Sequence, residues 1–269
     1  MSESSFGVTV GIPFYSGSEP EHLLRAIESI QEQTYVPEKI HLVQDGPVSK
    51  ALMEVVHRKK HQEETVEHIY LAEKKGLSYA LNRSILQAAT PFYARMDADD
   101  ISHPERLQRQ VDFFEANPET EILGTWAREF VSDPNEEKTF LKKVPIKQEE
   151  MEEILHYQSP FIHPSVMFRR EVFAKIGLYP SQKQVEDLCL WSRAFKKETQ
   201  TANIPEPLLY FRVQGVVGRR SSLGRIGREA RMRFGYSTLS PKLNILKLSS
   251  LAVRFMPRRI QEWVYSEFR

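Results

Sequence analysis

Up to Phe114 the chain alternates between two hydrophobic rhythms. Short, largely apolar runs at Val8–Ile12, Ile40–Val43, Val66–Leu71 and Phe92–Met96 end in proline, glycine or acidic residues. They have the length of buried strands. Between them apolar side chains recur at helical spacing: Leu23, Ala26, Ile27 and Ile30; then Leu77, Leu81, Ile85 and Leu86; then Leu107, Val111 and Phe114. A more polar helix is predicted over Ser49–Lys60. Strand and helix in strict alternation predict a mostly parallel central sheet flanked by helices, an α/β fold. Ligands of such sheets collect at the carboxyl ends of the strands. Asp45 and Asp97 both stand at such ends.

The second half is less regular. Ile122–Thr125, Ser165–Phe168 and Pro207–Val213 are predicted strands. Asp133–Lys138 is an exposed polar loop, and Glu149–Leu155 a short helix. Glu186–Lys197 is a helix with Leu188, Trp191, Ala194 and Phe195 on one side. Gly215–Arg220 has the composition of a connector. Helices are expected beyond it, over Ile226–Tyr236, Leu243–Phe255 and from Arg258. The predicted organisation is a catalytic unit over 1–214, with halves of about 6–118 and 119–214, and a helical extension over 215–269.

Charge divides the molecule at the same place. The net charge of the 269 residues is +1, yet Arg212–Arg269 contains 13 of the 37 basic and only 3 of the 36 acidic residues, a net of +10. The remaining chain carries −9. A basic tail of this kind suits an anionic surface, membrane or nucleic acid. Its mixture of Leu, Val, Phe, Trp and Tyr with arginine over 224–269 suits a helix lying on a membrane. It equally suits a helical subdomain that packs on the body or forms a homodimer contact. One cysteine, Cys189, excludes an intrachain disulfide and favours a reducing compartment. The start, MSESSFGVTV, lacks the basic and apolar regions of a signal peptide. No apolar run reaches the ~18 residues of a membrane span. The expected location is cytoplasmic, with peripheral contact at the inner face of the membrane.

The stretch FYARMDADD places Asp97, Asp99 and Asp100 within four residues. One explanation is a helix cap, since carboxylates favour the N-terminus of the helix that follows. The other is a cation site. Residues two apart on an extended segment project to one side, so Asp97 and Asp99 can share Mg²⁺ or Mn²⁺.

In order along the chain, VTVGIPFYSG, AIESIQEQTY, HLVQDGP, KKGLSYALNRSI, ARMDADD, HPSVMFRREVFAKIGLY, VEDLCLWSRA and PEPLLYFRV resemble the successive motifs of inverting glycosyltransferases of family 2, which have the GT-A fold. The resemblance covers about residues 6–213. It implies a donor loop at Pro13, Phe14 and Tyr15, and a nucleobase-binding Asp45. Lys75 and Asn82 border the helix facing the diphosphate. Asp97 is implied to face the donor ribose and Asp99 to ligate the metal. Asp187 is the implied general base with Glu186 second, and Arg212 a contact to the diphosphate or to the Glu-Asp helix. His163 is expected to line the acceptor site, approach the metal or serve structurally. Arg169 and Arg170 are expected at the surface. The implied partners are a nucleotide-diphosphate sugar, with UDP favoured, and a glycan or lipid-linked acceptor of the bacterial cell envelope.

Two other classes fit less well. A nucleotide-sugar pyrophosphorylase shares the alternating layout but has a glycine-rich N-terminal loop, which GIPFYSGSEPEHLLRA lacks. Nucleic-acid binding through the tail leaves Asp45, Asp97, Asp99 and Asp187 without a role, and no aromatic-basic RNA-binding signature is present.

Overall fold

A computed structural model describes residues 6–136, 139–181, 184–213 and 223–256. The connector at 215–220 and the helix expected from Arg258 lie outside the described residues. Strands β1 (Val8–Tyr15), β2 (Lys39–Asp45), β3 (Val66–Leu71) and β4 (Phe92–Arg95) alternate with helices α1 (Pro20–Gln31), α2 (Lys50–Gln62) and α3 (Leu77–Gln87). After β5 (Ile101–Ser102) and α4 (Arg106–Ala116) come β6 (Ile122–Phe130), β7 (Phe140–Lys142) and α5 (Gln148–Ile154). A single 3₁₀ turn at His163–Ser165 precedes β8 (Met167–Arg169), α6 (Val172–Ile176), α7 (Glu186–Lys196) and β9 (Thr201–Arg212). Two helices follow, α8 (Leu223–Gly235) and α9 (Pro241–Ala252).

One sheet runs through the body in the order β3-β2-β1-β4-β8-β6-β9-β5, with β7 added beside β6. The strands β3-β2-β1-β4 are parallel, as the alternating pattern predicts. Beyond β4 the sheet is mixed. β8 runs antiparallel to both β4 and β6, and β6 pairs β9 in parallel. The antiparallel pairings all involve β5, β7 or β8, each of two or three residues, so the sheet as a whole remains mostly parallel. Strands that short carry no readable periodicity.

Each face of the sheet has its own core. On one side Val8, Val10, Ile12 and Phe14 of β1 meet Leu23, Ile27 and Ile30 of α1, Leu52 and Val56 of α2, and Leu107, Val111 and Phe114 of α4. On the other, Leu81 and Ile85 of α3 pack with Phe168, Phe173, Tyr179, Trp191 and Phe195. Met232 of α8 joins this second core. Burial on both faces explains why β1 is almost continuously apolar rather than alternating.

Arg169 is half-buried rather than a surface residue. Its guanidinium lies over the rings of Phe92 and Phe114, at 5.2 and 5.1 Å, and donates to the carbonyls of Thr120 and Phe114. Stacking on two aromatic faces keeps the charge inside at low cost. Arg170 is exposed, as expected.

Candidate active site

β1, β2 and β4 end along one edge, and a cavity of about 980 Å³ opens there. Pro13, Phe14 and Tyr15 form one wall, Asp45 another, and Asp97 and Asp99 the floor. Arg212 lines it from the end of β9.

Asp45 is held by the chain it faces. Its Oδ1 accepts from Lys75 N–H at 2.7 Å, and its Oδ2 from Gly76 N–H at 2.9 Å. It does not cap the helix that follows it, because Ser49 does so by accepting from Leu52 N–H. The Asp45 carboxylate instead fixes the entry to α3, where Gly76 has φ +94°. Gly46, with φ +83°, brings the two loops together. A Cβ there would lie 2.7 Å from Lys74 N, so only glycine fits. Behind this turn His68 Nε2 meets Gln44 Oε1 at 2.9 Å, and Gln44 Nε2 donates to Gly46 O at 2.9 Å.

The acidic cluster divides by environment. Arg95, almost wholly buried on β4, donates to Asp97 Oδ1 at 2.6 Å. Asp100 is buried and accepts Arg212 N–H at 2.8 Å across 112 residues. Burial, with Asp97 and Asp99 beside it, pushes the Asp100 carboxyl well above the usual range. Helix α4 begins after Glu105 with no side-chain cap, so Asp100 ties the acidic loop to β9 instead of capping the helix. Ligand atoms of Asp97, Asp99 and Asp100 all lie within 4.8 Å of one another. This all-oxygen donor set fits a hard divalent cation, and Asp100 Oδ2 is buried with no hydrogen-bond partner among the described residues. Fully buried Arg106 stands below, donating to Arg95 O at 2.8 Å, and burial pulls its pKa down to about 9.

Arg212 shapes the loop. Its Nε donates to Asp99 O at 2.9 Å, and its Nη1 to Val131 O and Ser132 O. The guanidinium lies 4.4 Å from the Phe130 ring centroid. Asp99 is thus held through its backbone by the last strand of the sheet.

Other expected residues stand elsewhere. The Lys75 ammonium lies over the Tyr79 ring at 5.2 Å, and Lys74 lines the cavity, 4.2 Å above the Tyr15 ring. Asn82 binds the backbone of Tyr179 at both ends, accepting from N–H at 2.9 Å and donating to O at 2.8 Å. His163 Nε2 meets the Tyr179 hydroxyl at 2.9 Å, with Trp191 edge-on to the ring. Its ring nitrogen is committed there, and His163 is not part of the acidic cluster. Burial, with Arg95 nearby, holds His163 well below its ordinary pKa. Glu186 and Asp187 form the first turn of α7 outside the cavity wall. Burial and the Asp187 charge raise the Glu186 carboxyl, while Arg225 and Arg95 oppose the shift. Sequence reasoning missed Lys74, Arg95 and Arg225, all of which line the cavity. Arg95 sits in a hydrophobic strand, FYARM, where a lone arginine was the available signal.

The glycosyl transferase family 2 model matches residues 9–177. The amylovoran biosynthesis glycosyltransferase AmsE of Erwinia amylovora is 29% identical over 267 residues, 97% of this chain and 98% of that protein. The UDP-Gal:alpha-D-GlcNAc-diphosphoundecaprenol beta-1,3-galactosyltransferase of Escherichia coli is 29% identical over 223 residues, 82% of this chain and 79% of that one. Among solved structures, S. aureus TarS superposes with a TM-score of 0.66 at 15% identity over 92% of this chain, which spans 43% of the TarS chain. The mannosyltransferase PcManGT of Pyrobaculum calidifontis, in complex with GDP-Man and Mn²⁺, superposes with a TM-score of 0.66 at 17% identity, covering 93% of this chain and 70% of that one. The fold is that of the GT-A glycosyltransferases, and the chain is a glycosyltransferase belonging to family 2.

Proposed function

We propose that the protein moves a sugar, with inversion, from a nucleotide-diphosphate donor to a hydroxyl of a lipid-linked or cell-surface glycan acceptor. The observation that carries this reading is the Asp97–Asp99–Asp100 cluster on the floor of a cavity that Asp45 also lines. UDP is favoured as the nucleotide. Relatives support the choice, since one is named for UDP-Gal and TarS was solved with UDP and with UDP-GlcNAc. Asp45 would accept from the base, and the exposed face of Tyr15 would stack on it. A divalent cation, Mn²⁺ or Mg²⁺, held by Asp97 and Asp99, would offset the charge of the departing diphosphate.

Asp187 would act as general base, with Glu186 beside it. The acceptor hydroxyl loses its proton to this carboxylate while its oxygen bonds to the anomeric carbon. The bond from that carbon to the phosphate oxygen breaks, and its electron pair leaves with the nucleoside diphosphate. Attack and departure on opposite faces invert the centre in one displacement. A lipid-linked acceptor suits a protein held at a membrane surface. Among the described residues no helix is long and apolar enough to cross a bilayer. Exposed Ile245, Leu248 and Phe255 on the C-terminal helices give the proposed peripheral contact an apolar face.

Calorimetry of UDP with and without Mn²⁺, on the wild type and Asp99→Ala, tests the central claim. Mn²⁺ should tighten UDP binding to the wild type by about tenfold or more and leave Asp99→Ala unaffected. Equal binding under all four conditions would refute the cation site.

A further inference from the structure

The basic tail contributes a residue to the cavity. Arg225, in the first turn of α8, lines it together with Asp97, Asp99 and Arg212. The same guanidinium acts electrostatically on Glu186, at the start of α7. It therefore stands between the donor cavity and the carboxylate pair of the proposed base.

The helix that carries Arg225 is fixed by buried contacts. One turn later Glu229, fully buried, accepts from Arg233 at 2.7 Å and from Arg254 at 2.7 Å. Arg233 also donates to Leu155 O at 2.8 Å, and Lys196 of α7 to Gly235 O at 2.9 Å. Arg228 donates to Gln184 Oε1 at 2.6 Å, just ahead of α7. Positions 225 and 229 share one helix face, so the contacts that bury Glu229 also aim Arg225 inward.

Arg95, Lys74 and Arg212 also line the cavity, so Arg225 adds to a cluster of positive charge there. A planar guanidinium at the cavity edge matches phosphate oxygens two at a time. We propose that Arg225 binds the diphosphate of the donor, so that the C-terminal helices are part of the donor site. This rests on the nucleotide-diphosphate reading above. When the anomeric carbon–oxygen bond breaks, the diphosphate gains a negative charge, and Arg225 would hold that charge on the leaving side.

The test is calorimetry on the full chain with Mn²⁺ present, using UDP, GDP and dTDP against uridine, guanosine and thymidine. Arg225→Ala should weaken the preferred diphosphate by about tenfold or more, in keeping with loss of a charged hydrogen-bonding pair. Arg225→Lys should recover part of that loss, and nucleoside binding should stay within about twofold. Arg231→Ala, exposed on the same helix, is the control and should bind as the wild type does. If Arg225→Ala destabilises the fold, Arg225→Gln, which is shorter and uncharged but keeps the stem and a hydrogen-bond donor, serves instead. Diphosphate affinity within about twofold of wild type would overturn the inference, as would an equal loss for nucleoside and diphosphate. A wild type that binds none of the three diphosphates would instead overturn the donor reading itself, and this inference with it.

Discussion

At the residue scale, neighbouring carboxylates acquire different duties from their surroundings. Asp97 is paired with Arg95, Asp100 is bound to the Arg212 amide, and Asp99 is held by its own carbonyl. If Asp187 is the base, Asp187→Asn should lower kcat by about 10²–10⁴-fold with UDP affinity unchanged. Turnover within a few-fold of wild type would remove that role. His163 makes a different prediction. Burial holds its folded pKa well beneath 6.5, so below about pH 6.5 the unfolded chain takes up a proton that the folded chain refuses. Its contribution to stability is therefore lost as the pH falls through that range. Urea midpoints at about pH 7.5 and pH 5.5 should differ more for wild type than for His163→Gln, which can still bond Tyr179. Comparing the two proteins cancels the opposite contribution of Asp100, whose raised carboxyl loses stability as the pH rises. The positions of Asp45 and Asp97 were legible because strand ends are written in short apolar runs. The partners of Asp100 and Asn82 were not, because Arg212 and Tyr179 lie about a hundred residues away in sequence.

At the scale of elements, β1–β4 and their helices follow from the alternation of short apolar runs with helical spacing. β5 does not. Two residues form a strand there because Ile101 and Ser102 pair with Tyr210 and Leu209, a long-range cause with no local trace. β8 begins two residues later than its apolar run, because His163–Ser165 closes a 3₁₀ turn first. Asn82 joins two elements that the sequence lists far apart, clamping α3 to the segment before α7. Asn82→Ala would leave both backbone groups of Tyr179 without that partner. The expected loss is about 1–3 kcal/mol in urea unfolding, with Tyr179 freed to drift from His163.

At the scale of the whole molecule, charge composition suggested an acidic body and a separate basic tail. The structure instead turns several tail cations inward: Arg233 and Arg254 meet Glu229, and Arg228 meets Gln184. Composition counts charges but not the direction a side chain takes from its helix. Arg233→Ala should destabilise the protein by about 3 kcal/mol, because it strips a partner from a buried carboxylate. Denaturant midpoints would measure this. The proposed membrane contact concerns the opposite, exposed surface. Ile245→Glu combined with Leu248→Glu should reduce co-sedimentation with phosphatidylglycerol vesicles while diphosphate binding persists. Equal sedimentation would argue against an apolar contribution from that face.

The bond from Arg212 to Asp100, together with the β5–β9 pairing, has a kinetic corollary. Loops closed over such separations form late, after local structure. During synthesis the first four strands can pair while β9 is still unmade, but the acidic loop then lacks the strand that shapes it. Acquisition of cation affinity should accordingly lag behind the recovery of helical circular dichroism in a refolding experiment. Simultaneous recovery would mean that the acidic loop takes its shape without β9.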